Sequence, residues 1–306
     1  MSKLNDHMDR RTLLKGAGLL GAGALLGGSV LPALAQGTTG AKPNLDEAVL
    51  NFALNLEYLE AEFYLAAVGR KPSYEVDGVG GNGTMGAGGE VKGGMPVKFS
   101  NTPFGRSVRE YAEEIAADEE AHVKFLRAAL GNKAVARPAI DIGAAFTGAA
   151  MAASKNAIRG FNAYGNELFF LHAAFIFEDV GVTAYKGAAP LVTNPAFLEA
   201  AAGILGAEAY HAGIIRTLLH QNRGVTAAAG LKVEAIVQAI SDLRDSVDGT
   251  TDLDQGVTMG GKANLVPTDA NGITFSRSTE QVLNIVYLGG KGRGGFFPNG
   301  LNGAIK

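Results

Sequence analysis

Two histidines, each with a glutamate three residues before it, constrain this chain more than any other feature. In "IAADEEAHVKF" Glu119 precedes His122, and in "ILGAEAYHAG" Glu208 precedes His211. Residues three apart lie on one face of an α-helix, so each pair aims two ligand-type side chains at one point. With 17 Glu in 306 residues, a given His has a Glu three places before it about one time in eighteen, so two such pairs among the four His beyond residue 35 arise by chance in roughly 2% of chains of this composition. Small and apolar residues surround Glu208, the pattern of a buried helix. A buried carboxylate without a partner is strongly disfavoured, so the pairs predict a compensating charge where they converge.

Each pair also follows a helix with its own glutamate. Apolar residues at three- and four-residue steps predict a long helix between Asn44 and Gly69, carrying Glu57, and another from about 166 to Pro190 and Pro195, carrying Glu178. The pairs lie on helices predicted over about 102–130, closed by Gly131, and over the run ending near Asn222. The order is Glu, Glu-x-x-His, Glu, Glu-x-x-His. Glu57 stands seven residues before Tyr64 and Glu178 seven before Tyr185; aligning the halves on these anchors also matches Ala53 with Ala174, Ile115 with Ile204, Arg127 with Arg216 and Leu130 with Leu219, as a duplication would. Glu280 and Tyr287 share the seven-residue separation without a following Glu-x-x-His, so only the fourfold order has weight.

Four long helices without a period-two run predict an all-α bundle. Four carboxylates and two imidazoles converging inside it make a two-metal site, because two divalent cations neutralise four buried carboxylates. The expected ligands are Glu57, Glu119, His122, Glu178, Glu208 and His211, with Glu60 a substitute for Glu57 on the same face. Oxygen-rich sites with two imidazoles suit iron or manganese, with zinc a further candidate. Tyr64 and Tyr185 either hydrogen-bond near the metals or pack. His172, among Phe169, Phe170 and Phe175, reads as a core or supporting histidine, and Glu113, Glu114, Asp118 and Glu120 as a solvated face.

The residues Glu57, Glu119-x-x-His122, Glu178 and Glu208-x-x-His211, in that order, resemble the ferritin-like superfamily, which includes ferritins, rubrerythrins and manganese catalases. "NFALNLEYLEAEFY" in the first helix and "FSRSTEQVLNIVYLGGKGRGGFFPNGLNG" near the end look like its branch of ferritin-like desiccation-related proteins. The superfamily likeness covers about residues 44–222 and implies a ferritin-like four-helix bundle over 36–225. Two features depart from simple ferritins. Nine glycines between Gly78 and Gly94 predict a flexible inserted loop within about 70–101, and residues 226–306 form an extension expected to pack on the bundle. In that extension an amphipathic helix is predicted over 233–247, a capping box at Ser278 and Gln281 opens a short last helix, and "GGKGRGGFF" reads as a loop that docks Phe296 and Phe297. An Ala-rich helix is expected over 144–157.

Residues 1–35 have the parts of an export signal: Arg10 and Arg11, a Gly/Ala/Leu stretch from Gly16 to Leu31, and Ala33-Leu34-Ala35. The paired arginines resemble a Tat signal, although Asp9 and Leu13 depart from its usual residues, and they direct the expected location to the periplasm or cell envelope of a bacterium. A Gly-rich run of sixteen residues is short of the ~20 apolar residues that span a bilayer, so no stable transmembrane span is expected after cleavage. Cleavage takes the formal charge from −3 to −5, and no basic cluster tracks a phosphate backbone, which argues against a nucleic-acid partner. The chain has no cysteine, so neither disulfides nor thiolate metal ligands contribute. The expected function is an exported dimetal protein reacting with peroxide or dioxygen under oxidative or drying stress; the alternative is a non-enzymatic scaffold with a structural or vestigial metal site. A homo-oligomer is left open.

Overall fold

The computed structural model describes residues 44–306, and the export signal expected over residues 1–35 lies outside them. Four long helices dominate: α1 (Asp46–Ala67), α2 (Pro103–Leu130), α4 (Glu167–Ala188) and α5 (Pro195–Gln221), with the shorter α3 (Ala144–Ala153) between the two pairs. α1 packs chiefly on α2, and α4 on α5. The starts follow local chemistry. Thr102 accepts from Gly105 N at 3.0 Å, Asn166 from Phe169 N at 2.9 Å and Asn194 from Ala196 N at 2.9 Å, while Pro103 and Pro195 occupy first-turn positions where no amide donor is needed. Pro195 therefore opens α5 rather than closing α4, which ends at Ala188 before a 3-10 turn around Pro190.

Helices α1 and α4 are the inner members. Every residue from Phe170 to Tyr185 is buried, and 18 of the 22 residues of α1 are. By length and composition α4 resembles a membrane span, yet 89% of its apolar window lies inside the protein. The outer helices α2 and α5 bury one face each, which includes Glu119 on α2 and Glu208 and His211 on α5.

The glycine-rich segment is not the irregular loop its composition predicts. It contains β1 (Gly78–Val79) and β2 (Met85–Gly86), an antiparallel pair, and β3 (Val91–Gly93), which pairs in parallel with β4 (Ile140–Ile142). Glycine is what permits the contact, since a Cβ at Gly89 would overlap the Pro138–Ala139 backbone and one at Gly93 would overlap Gly143. Sequence periodicity is silent on such strands because glycine presents no side chain to either face.

The extension carries α6 (Val233–Asp248) and α7 (Thr279–Val286), the latter opened by the Ser278–Gln281 capping box. Phe296 and Phe297 are fully buried; the Phe296 ring lies 4.8 Å from that of Phe177 on α4 and 5.1 Å from that of Phe146 on α3. A buried ionic network also ties the extension to the bundle. Arg216 on α5 donates to Asp179 at 2.7 Å and to the carbonyls of Gly256 and Asn264, each at 2.7 Å. Arg244 on α6 pairs with Asp179 at 3.2 Å and Asp254 at 2.6 Å, and Arg277 pairs with Asp248 at 2.7 Å and with Asp254. Three guanidinium groups against three carboxylates leave the network balanced, the condition under which buried ions are tolerated.

Candidate metal centre

The fold brings all six expected ligand residues to one place in the middle of the bundle. Glu119 is fully buried and stands between the two imidazoles, with Oε2 3.5 Å from His122 Nδ1 and Oε1 3.1 Å from His211 Nδ1. His122 Nδ1 is also 3.2 Å from Glu57 Oε2, and His211 Nδ1 is 3.7 Å from Glu178 Oε2. The two imidazole rings are 6.4 Å apart. Ligand atoms of Glu57, Glu119, His122 and Glu208 lie within 4.8 Å of one another, as do those of Glu60, Glu178 and Glu208, so Glu208 belongs to both groups. Glu57 stands in one group and Glu60 in the other, and both are buried at the centre.

The correspondence of the two halves shows in the bonds as well as the order. Tyr64 donates to Glu178 Oε1 and Tyr185 donates to Glu57 Oε1, so the tyrosine of each half fixes the glutamate of the other. On the same alignment Arg127 donates to Tyr58 as Arg216 donates to Asp179. One position breaks the symmetry. The counterpart of Glu60 is Gly181, where a Cβ would overlap Glu208 Oε2 and lie 3.5 Å from Glu60 Oε1. The missing side chain lets Glu208 reach the backbone of α4 and leaves room for Glu60 beside it.

Five buried carboxylates against two imidazoles leave the centre electrostatically unbalanced. Burial pushes Glu57 up to about 7 and Glu178 up to about 8, and it raises Glu60 and Glu208 well above the usual carboxylate range, with the neighbouring glutamates adding to the rise. Burial acts the same way on Glu119, but the two imidazoles beside it prevail and hold it down to about 2. Six buried atoms here make no hydrogen bond: Glu60 Oε2, both oxygens of Glu119, Glu178 Oε2, Glu208 Oε2 and His211 Nδ1. Buried polar atoms are otherwise almost always paired, and oxygen and imidazole donors converging without partners fit metal cations.

Two residues, Asp118 and Glu120, differ from their sequence-based assignment. Asp118 is half exposed yet reaches His211 Nε2 at 3.2 Å, on the ring nitrogen opposite the one that faces the centre. Such an outer carboxylate fixes the tautomer and orientation of a ligating histidine. Glu120 is buried rather than solvated, bonded to Arg70 at 2.6 Å and to the Ser73 amide and hydroxyl at 2.7 Å each. Neither was legible, because their partners come from α5 and from the segment after α1. Glu113 and Glu114 are exposed. His172 is a buried core residue whose Nδ1 donates to Leu168 O at 2.6 Å, outside both ligand groups.

Comparison with known proteins agrees with this geometry. The chain is 28% identical over 252 residues to a desiccation-related protein of Craterostigma plantagineum, covering 79% of this chain and 77% of that one. It is 28% identical over 278 residues to a ferritin-like catalase of Nesocodon mauritianus, covering 85% and 86% respectively. No solved structure matches it significantly. Residues 45–221, the span of the bundle and all of its buried Glu/His cluster, match the model of the ferritin-like domain, and the chain belongs to that family.

Proposed function

We propose that the centre holds two ions of iron or manganese and that the protein disproportionates hydrogen peroxide, as an exported defence against oxidative and drying stress. The observation that carries this is the set of six buried, unpartnered ligand atoms at the centre of the bundle, five on carboxylates of the two overlapping groups and the sixth on His211 beside them. The relative named a ferritin-like catalase supports the reaction, and the one named desiccation-related supports the setting. A bound pair of redox metals supplies the two-electron exchange by which two hydrogen peroxide molecules become two waters and one dioxygen.

The chain's own residues prepare the place. Glu119, lying between His122 and His211, and Glu208, which belongs to both groups, would hold the metals together with the residues around them. Tyr64 occupies Oε1 of Glu178 and so turns Oε2 toward the centre; Tyr185 does the same for Glu57. Asp118 holds His211 with Nδ1 inward. Polar reactants have an approach on this side, where the His122 side chain is 12% exposed and that of Asp118 48%.

Metal analysis of the folded protein should find about two ions per chain, and peroxide should be consumed with one dioxygen evolved for every two peroxides. Glu208→Ala should lose at least one ion, while Glu113→Ala, on the exposed face of α2, should keep both. Equal metal content in the two variants would show that the buried groups are not the ligands. Metal-loaded protein no faster than free metal would leave a non-enzymatic scaffold as the reading. Export is tested separately: Arg10→Lys with Arg11→Lys should strand the precursor in the cytoplasm, and normal export would remove the paired-arginine assignment.

A further inference from the structure

Two apolar cavities lie between the centre and the helices of the extension. The inner one, of about 20 Å³, is bounded by Glu60 and Gly181 on the side of the centre and by Ile176, Ile285 and Phe296 opposite. The outer one, of about 40 Å³, has Ile176 and Ile285 in its wall too, and ends among Ala150, Ala239, Leu243 and Leu288. Those last four are only half buried, so the outer cavity ends near the surface between α3, α6 and α7.

The two cavities therefore share a wall of two branched side chains, with the carboxylates at one end and the protein surface at the other. At roughly 10–15 Å³ for a water-sized occupant, the inner space holds about one small molecule and the outer about three. A buried water needs two to four polar partners, and in the inner cavity Glu60 is the sole charged or polar side chain. The outer wall includes Ser154, His172 and Arg244: Ser154 Oγ donates to Ala150 O, His172 Nδ1 to Leu168 O, and the terminal guanidinium nitrogens turn to Asp179, Asp254 and Phe175 O, which leaves His172 Nε2 and Arg244 Nε as the unpaired atoms of an otherwise apolar wall. Dry apolar cavities of this kind exclude ions and peroxide and accept apolar gases.

We propose that the paired cavities are the passage for dioxygen between the centre and the outside of the bundle. The inference rests on the oxygen chemistry proposed above: dioxygen is the one apolar participant in that reaction, and the passage keeps it apart from the polar approach at His122 and Asp118. Rotamer changes at Ile176 and Ile285 are the gate.

Xenon, an apolar probe that needs no turnover, tests the cavities directly. Crystals of the wild-type chain pressurised with xenon should show a site in each cavity, and the absence of both would overturn the inference whether or not the centre is active. Ala150→Phe and Ala239→Phe fill the outer cavity from half-buried positions far from the ligands, where a larger side chain has room to turn outward. In each, the outer xenon site should vanish. The rate at which dioxygen reoxidises the reduced, metal-loaded protein should fall about tenfold, while the rate with peroxide stays within twofold. Unchanged dioxygen rates in plugged, folded variants would show a closed void and overturn the passage. Xenon in both cavities of a wild type inert to both oxidants would instead overturn the reaction of the preceding section.

Discussion

At His172 the imidazole is buried against Leu168 O, and burial pushes its pKa down to about 4 because a cation there loses its hydration. In the unfolded chain the same group titrates near 6.5. Between those values the unfolded state holds a proton that the folded state lacks, so stability is lost as pH falls from about 6.5 to about 4 and no further loss from this group follows below it. The expected loss between pH 7 and 4 is about 3 kcal/mol. Denaturant titrations of wild type and His172→Gln should show that much less pH dependence in the variant; identical slopes would assign the effect to other groups. His172 also marks a limit of reading residues singly. His122, His172 and His211 are alike as residues, and the Glu three places before two of them separates ligand candidates from a core histidine. No comparable mark distinguishes Asp118 and Glu120 from Glu113 and Glu114, since what decides their roles is the arrival of His211, Arg70 and Ser73 from elsewhere.

Helices and strands were unequally legible for a physical reason. Three of the four long helices are marked by a cap, Thr102, Asn166 or Asn194, as well as by apolar residues at three- and four-residue steps, and α1 by the steps alone, so the four-helix order and the ligand faces follow from sequence. The β3–β4 pair depends instead on close approach of bare backbones at Gly93 and Gly143. Gly93 has φ +79° and a Cβ there would overlap Gly143, whereas Gly83, also at φ +79°, faces open space. Gly83→Ala should therefore cost only the left-handed backbone penalty of about 1 kcal/mol, and Gly93→Ala at least about 1 kcal/mol more. Thermal unfolding of the two variants compares them. Equal shifts in midpoint would mean that the strand contact at Gly143 yields freely.

For the molecule as a whole, the extension completes the core. Removing residues 226–306 would take Arg244 from Asp179, the carbonyls of Gly256 and Asn264 from Arg216, and the Phe296 ring from Phe177. Breaking buried ion pairs costs about 3–5 kcal/mol, and deleting a buried Phe side chain a similar amount, against a total stability for a domain of about 5–15 kcal/mol. A chain ending at residue 225 should thus lack a cooperative unfolding transition by near-ultraviolet circular dichroism; a transition at the wild-type midpoint would show that the bundle is self-sufficient. The break in symmetry at Glu60 and Gly181 reaches further. Two copies of the first half would put a glutamate side chain where Gly181 leaves room, and two copies of the second would keep Glu208 against Gly181 with no Glu60 beside it. The two halves are thus not interchangeable at the centre: one supplies Glu60 and the other the room beside it.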